Sequence, residues 1–314
     1  MFSIPRDAES PISTRRLSEH LPLLGKIWLA LPLRFRAFAY SFAWNIASTI
    51  FPAATELGCH HVRRVWPGIV FKRSVWPKDL PLAEPVSSFT QRTEAEALWL
   101  VRHYTAVPCP TLFDYVIYPL PRGNVSLIIM SEMPGTIFRE AAETMTDAQV
   151  NQVGEDLRTA LEAIRRIPNT TDFGICSASG ERIRAPYFYD SPIEPLKDVA
   201  AFQAHLRKQA SRFWPVMGTT LEPILSNFDP NAVFTHGDVT DHNIMVHQGR
   251  LSGLIDWGTA GWMPVYWEYA CSVNLGNGSL VFMRMLKVAM PIQYEMQWRA
   301  VTLDIHGKFL EHRL

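Results

Sequence analysis

The stretch FTHGDVTDHNIMVHQGRLSGLIDWG, residues 234–258, sets three aspartates, an asparagine and two histidines close to carboxylates between segments that read as core. NIMV and LSGLIDW are short apolar strands on either side of HQGR, a hairpin whose turn uses Gly249. Asn243 begins that hairpin and Asp256 ends it, so the two side chains come near one another. Hard divalent cations such as Mg2+ take oxygen ligands, and an amide with a carboxylate supplies two while leaving room for phosphates. Asp238, five residues before Asn243 in a polar loop, is then a carboxylate off the metal, able to accept a proton from an attacking hydroxyl. The bland alternative is a loop whose aspartates only cap helices or turns. A zinc hydrolase fits poorly: THGDVTDH resembles T-H-x-H-x-D-H only superficially, with Asp in place of the second His, and zinc prefers nitrogen and sulfur.

Upstream, Lys72 lies mid-strand in GIVFKRS among apolar residues, where a lysine is unexpected unless it serves something. The helix that follows offers Glu94 and Glu96, which are two residues apart and cannot share a face. Glu94 lies on the side of Leu98 and Val101 and is the preferred partner. TELGCHH holds one glycine, so no glycine-rich phosphate loop is visible.

These residues need a sheet and helices to position them. HHVRRVWPGIVFKRS reads as two strands around Pro67-Gly68, and TLFDYVIYPLPRGNVSLIIMSEMPG as two more around an Arg-Gly-Asn turn. Between them RTEAEALWLVRHYT is a helix with Ala95, Leu98, Val101 and Tyr104 at helical spacing. Strand patterning gives way to helical patterning at Glu132 to Gly135. There TDAQVNQVGEDLRTALEAIRRIP starts with a Thr-Asp cap and keeps an apolar stripe through Val150, Val153, Leu157, Leu161 and Ile164. The expected divisions are a flexible tail (1–20), a leading helical segment (21–57), a sheet lobe (58–133) and a helical lobe (134–314), with 168–195 an irregular surface excursion.

Thirty basic and thirty acidic residues cancel, which gives no support to a nucleic-acid partner. Four scattered cysteines without a CxxC pair argue for reduced thiols and a cytoplasmic setting, and the N-terminus lacks the pattern of a signal peptide. The run from Ala37 to Thr55 carries no charge and raises the question of a membrane span. Asn45, Ser48, Thr49 and Pro52 dilute it, so a helix packed on a neighbouring lobe is favoured, with a peripheral membrane contact through residues 21–55 between the two readings.

HGDVTDHN fits the H-x-D-x-x-x-x-N pattern of the kinase catalytic loop, and DWG, thirteen residues after Asn243, is a close variant of the D-F-G metal motif. With these motifs, VRRVWPGIVFKRS, EAEALWLVRHYTAVPCP, MSEMPG and IDWGTAGWMPVYWEYA, the span from Val62 to Ala270 resembles the aminoglycoside phosphotransferase and choline kinase-like family, its fungal members in particular. The resemblance implies an α+β, bilobal protein kinase-like fold, with a small antiparallel-sheet N-lobe and a mainly helical C-lobe. It also implies ATP- and Mg2+-dependent transfer of a phosphoryl group to a hydroxyl of a small molecule. On it Asp238 looks like the catalytic base, Asn243 and Asp256 like the Mg2+ ligands, and Lys72 like the phosphate-binding lysine held by Glu94. Backbone groups of Glu132 and Met133 would meet an adenine edge with Met130 beside the base. Glu268 resembles an acidic residue that braces the catalytic loop, and His236 orients it. VTDH departs from the filling common in this loop, leaving Asp241 and His242 to touch substrate or face water. The other reading is a kinase-shaped nucleotide-binding or scaffold protein without transfer activity, motivated by the missing glycine-rich loop.

Overall fold

The computed structural model describes residues 10–50, 56–57, 60–76, 86–120, 123–185, 192–209, 218, 222, 229–276 and 279–290. Contacts divide the chain into two units, residues 1–103 with 109–133, and residues 104–108 with 134–314.

The first unit opens with three helices, α1 (Thr14–Glu19), α2 (Leu23–Ala30) and α3 (Leu33–Ile50). Residues 14–19, expected to belong to a flexible tail, are therefore helical: the Ser13 hydroxyl caps the Arg16 amide, and Leu17 is buried. Five antiparallel strands follow, β1 (Glu56–Leu57), β2 (His60–Trp66), β3 (Ile69–Trp76), β4 (Leu112–Leu120) and β5 (Gly123–Ser131), in the order β1-β2-β3-β5-β4. Helix α4 (Val86–Tyr104) connects β3 to β4. The strand period of two decides what each helix covers. On β3, Phe71 joins an apolar cluster with Ala37, Tyr40 and Trp44 of α3, whereas its neighbour Lys72 meets Glu94 of α4. Ala95, Leu98 and Val101 of α4 are buried as their spacing predicts, while Tyr104 stands 44% exposed at the helix end.

Helix α3 is fixed to the sheet by charge as well as by packing. Arg36 donates to Asp114 of β4 at 2.5 Å, and both are buried. The Tyr40 hydroxyl donates to the same carboxylate at 2.8 Å and accepts from the Trp28 indole of α2 at 2.5 Å.

In the second unit β6 (Thr136–Ile137), α5 (Phe138–Ala141) and α6 (Asp147–Ile164) lead to β7 (Cys176–Ser177) and α7 (Val199–Gln209). Strands β8 (Ala232–Thr235), β9 (Ile244–His247), β10 (Arg250–Leu254) and β11 (Gly261–Pro264) precede α8 (Trp267–Gly276) and α9 (Leu280–Ala289). The strands form two small antiparallel sheets, β10-β9-β6 and β7-β11-β8. Helix α6 carries a capping box between Thr146 and Gln149 and buries all five residues of the expected stripe. Gly154 lets α9 approach it: a Cβ there would lie 2.8 Å from the Val288 side chain.

Of the span 168–195, expected to run over the surface, residues 168–173 are mostly exposed, but the described residues from 175 on contribute to the core. Bridges Ile175↔Leu196 and Ile183↔Ile193 fold it back, and Ile175, Ile183 and Ile193 enter a core with Phe202 of α7 and Trp267 of α8. Its buried residues are too widely spaced to show a helix or strand period. Among the described residues no helix is long and apolar enough to cross a membrane.

Removing one member of a buried ion pair leaves an uncompensated charge. Asp114→Ala is expected to lower the free energy of urea unfolding by about 3–5 kcal/mol, and Arg36→Met combined with Asp114→Leu to recover most of that loss.

Candidate active site

After β8 the backbone leaves the sheet, and its amides need acceptors. Those of His236 and Gly237 donate to the two oxygens of one carboxylate, Glu268, at 2.6 and 3.0 Å. Gly237 has φ +79°, and a Cβ there would fall 2.7 Å from the Thr259 carbonyl oxygen, so no other residue fits. Glu268 sits in the first turn of α8 and is 1% exposed. Burial pushes its carboxyl up to about 7, against the two amides and Arg165.

His236 is also buried, and its ring is used at both nitrogens. Nδ1 accepts from the Asp238 amide at 3.2 Å, so Nε2 carries the proton and donates to the Ile255 carbonyl at 3.0 Å. A neutral histidine thus ties the loop after β8 to the segment after β10 and packs against Trp257 at 4.4 Å between ring centroids.

Asn243 completes the loop. Its Nδ2 donates to both the backbone oxygen and Oδ2 of Asp238, each at 2.9 Å. With the amide nitrogen engaged in this way, Oδ1 is the atom Asn243 can offer to a cation. The Asn243 carbonyl accepts from the Ile255 amide at 3.0 Å, one residue before Asp256. Asp256 itself holds φ +62°, a left-handed conformation uncommon for a residue other than glycine. The β9–β10 hairpin turns through Gln248 and Gly249, both with positive φ, as a two-residue hairpin loop requires. The structure thus brings Asp238 and Asn243 into contact, and Asp256 follows directly on the residue bonded to the Asn243 carbonyl. An asparagine oxygen with a carboxylate is a hard-donor set that suits Mg2+ and suits zinc poorly.

Asp241 is buried, and the His242 side chain is 43% exposed. Arg139 of α5 holds Asp241 with two side-chain hydrogen bonds, at 3.0 and 3.1 Å, and its amide donates to the Asp241 carbonyl. His242 Nδ1 lies 3.1 Å from Asp241 Oδ1. Sequence gave no signal for Arg139, which is 102 positions away. Trp257, Trp262, Tyr266 and Trp267 are buried core.

In the first unit Lys72 Nζ lies 2.7 Å from Glu94 Oε2, with both side chains buried. Gln91 steadies the pair: it donates to the Lys72 carbonyl at 3.1 Å and accepts from Ser126 of β5. Glu96 faces elsewhere and pairs with Arg16 of α1 at 3.0 Å. Met130 is buried in β5. The Glu132 amide donates to the Gly68 carbonyl and the side chain binds Arg64, so an adenine contact by Glu132 narrows to its carbonyl. Residues 58–59, where a phosphate loop was sought, lie outside the described residues.

The model of the phosphotransferase enzyme family matches residues 81–287. The chain belongs to that family. Asp238, Asn243, Asp256 and Glu268 fall inside the matched range and Lys72 precedes it. No curated protein sequence matches. Among solved structures, the aminoglycoside phosphotransferase APH(4)-Ia is 14% identical, with a TM-score of 0.57 over 85% of this chain and 88% of that one. A thermostable mutant of the same enzyme, in ternary complex with ADP and hygromycin B, is 14% identical with a TM-score of 0.54, over 83% and 87%. A GDP complex of a mutant aminoglycoside 2'-phosphotransferase IIIa is 15% identical with a TM-score of 0.53, over 84% and 86%. At such identities the likeness is one of fold, and the phosphotransferase-family chain has the α+β, protein kinase-like fold that its motifs implied.

Because the folded state raises the Glu268 carboxyl from 4.5 to about 7, this group stabilises the fold below 4.5 and loses that contribution as pH rises through 7. Measured by urea unfolding, the stability of the native protein relative to Glu268→Gln is expected to fall by a few kcal/mol between pH 4.5 and 7.5. A pH-independent difference would show that the carboxyl titrates normally.

Proposed function

We propose that this protein transfers the γ-phosphoryl group of ATP to a hydroxyl of a small molecule, with Mg2+. The observation that carries the reading is the clasp between Asn243 and Asp238, which leaves one carboxylate placed for proton transfer and one amide oxygen for a cation. Asp238 accepts the proton of the attacking hydroxyl and orients its oxygen. Asn243 Oδ1 and the Asp256 carboxylate are the oxygens that would hold Mg2+, which would offset charge on the phosphates. Lys72, kept in place by Glu94, binds phosphate oxygens as a point charge. Met130, the Glu132 carbonyl and the Met133 backbone bind the base. Glu268 and His236 act on the loop and touch no substrate. Family membership supports phosphoryl transfer, and solved relatives bound to ADP or GDP support a nucleotide donor. A small hydroxylated molecule is the acceptor class proposed, and a solved relative in ternary complex with ADP and hygromycin B supports it.

The assay is ADP release with Mg-ATP across a panel of hydroxylated small molecules. Asp238→Asn keeps the hydrogen bond from Asn243 but removes the base, so kcat is expected to fall about 10^2–10^4-fold with nucleotide affinity unchanged. An Asp238→Asn protein that phosphorylates at the native rate would end the base assignment. Absence of both turnover and a thermal shift with Mg-ATP would make the chain a non-catalytic member of the family.

A further inference from the structure

Helices α1, α2 and α3 precede the residues that the family model matches. Helix α3 is apolar on two faces. One buries Ala37, Tyr40, Trp44 and Ala47, while Phe35, Phe42, Ile46 and Ile50, seven, four and four residues apart, stand 42–63% exposed. On α2 and the residue that ends it, Leu23, Leu24, Ile27 and Leu31 are exposed by 72, 80, 55 and 42%. A helix face turned to water is ordinarily polar. Eight large apolar side chains on two neighbouring helices are therefore left to solvent, where single scattered ones would need no explanation.

The same two helices and the sheet border an open cavity of about 610 Å3, well inside the range of ligand sites. Gly25, Ala39 and Ala43 create the space, facing the larger Trp28, Tyr40 and Phe71. The polar atoms of this wall are engaged with one another, Trp28 with Tyr40 and Tyr40 with Asp114. Apart from Trp66 the rest of the wall is apolar, so the cavity suits a hydrocarbon occupant. Trp66, 67% exposed, borders the cavity, as an indole does at a membrane–water boundary. Charge selects the surface: residues 21–50 contain no Asp or Glu, Lys26 and Arg34 are exposed, and Arg36 is neutralised by Asp114.

We propose that α2 and α3 seat on an anionic lipid bilayer and that the cavity takes an acyl chain from it. The basic residues meet the headgroups and the exposed leucines, isoleucines and phenylalanines enter the interface. Full-length protein is expected to co-float with mixed phosphatidylserine–phosphatidylcholine vesicles much more than with pure phosphatidylcholine. Lys26→Ala and Arg34→Ala, both surface changes, are expected to weaken partition about fivefold each, and less at high salt. Leu24→Asp combined with Phe42→Asp is expected to weaken it more than tenfold, with an unchanged circular dichroism spectrum. Ala43→Phe fills the cavity and is expected to lower tryptophan quenching by bromine-labelled acyl chains while flotation persists; unchanged quenching would remove the chain from the proposal. Failure of the native protein to float would overturn the bilayer seat, as would equal flotation of every variant or binding of free fatty acid alone. So would a dimer in sedimentation that Leu24→Asp with Phe42→Asp dissociates, since a second copy would then cover this face.

Discussion

Two successive amides, those of His236 and Gly237, converge on one buried carboxylate, and the loop from 236 to 243 depends on that convergence. Leaving β8, the chain gives up ladder hydrogen bonds in an environment with little water, so each lost bond needs a replacement. Directly after the second of these donors Gly237 enters the left-handed region at φ +79°, where a Cβ would meet the Thr259 carbonyl oxygen, so the chain turns there as only glycine can. Glu268 occupies the first turn of α8, where the helix dipole favours negative charge. Burial opposes ionisation there and the amide donors favour it, leaving a carboxyl balanced near 7. That balance makes the loop's anchor sensitive to pH.

From this anchor the rest of the constellation follows through backbone atoms. The His236 ring takes the Asp238 amide on one nitrogen and gives the other's proton to the Ile255 carbonyl. The Ile255 amide in turn donates to the Asn243 carbonyl. Ile255 is thus held from both sides, one residue before Asp256. A left-handed aspartate costs on the order of 1–3 kcal/mol and persists only where its surroundings over-determine it. The clamp on Ile255, one residue earlier, supplies part of that.

Much of this was legible in the sequence because it is local. H-x-D-x-x-x-x-N and D-W-G lie within one stretch, their hairpin is marked by Gly249, and the choice of Glu94 over Glu96 needed only the helical period. The stripe on α6 was readable for the same reason. What sequence did not disclose comes from contacts between distant positions with no periodic trace. Arg139 reaches Asp241 across 102 positions, Arg36 reaches Asp114 across 78, and the isoleucines of 168–195 gain their burial from bridges to one another and to Leu196. Polar residues near such contacts read as solvated until the partner is known.

The β-sheet of the first unit carries two buried ion pairs on opposite faces, and their chemistry separates their roles. Arg36–Asp114 is closed into a network with Tyr40 and Trp28 that joins two helices to a strand, a use suited to a planar guanidinium with directed donors. Lys72–Glu94 joins one strand to one helix, through a compact ammonium that matches a phosphate oxygen as readily as a carboxylate. Desolvating such a pair contributes little net stability compared with apolar residues of the same volume, so folding alone gives β3 no reason to place a lysine between Phe71 and Arg73. A lysine at residue 72 therefore has no explanation in stability alone, and Gln91, bonded to the Lys72 carbonyl and to Ser126, ties this stretch of β3 to α4 and β5.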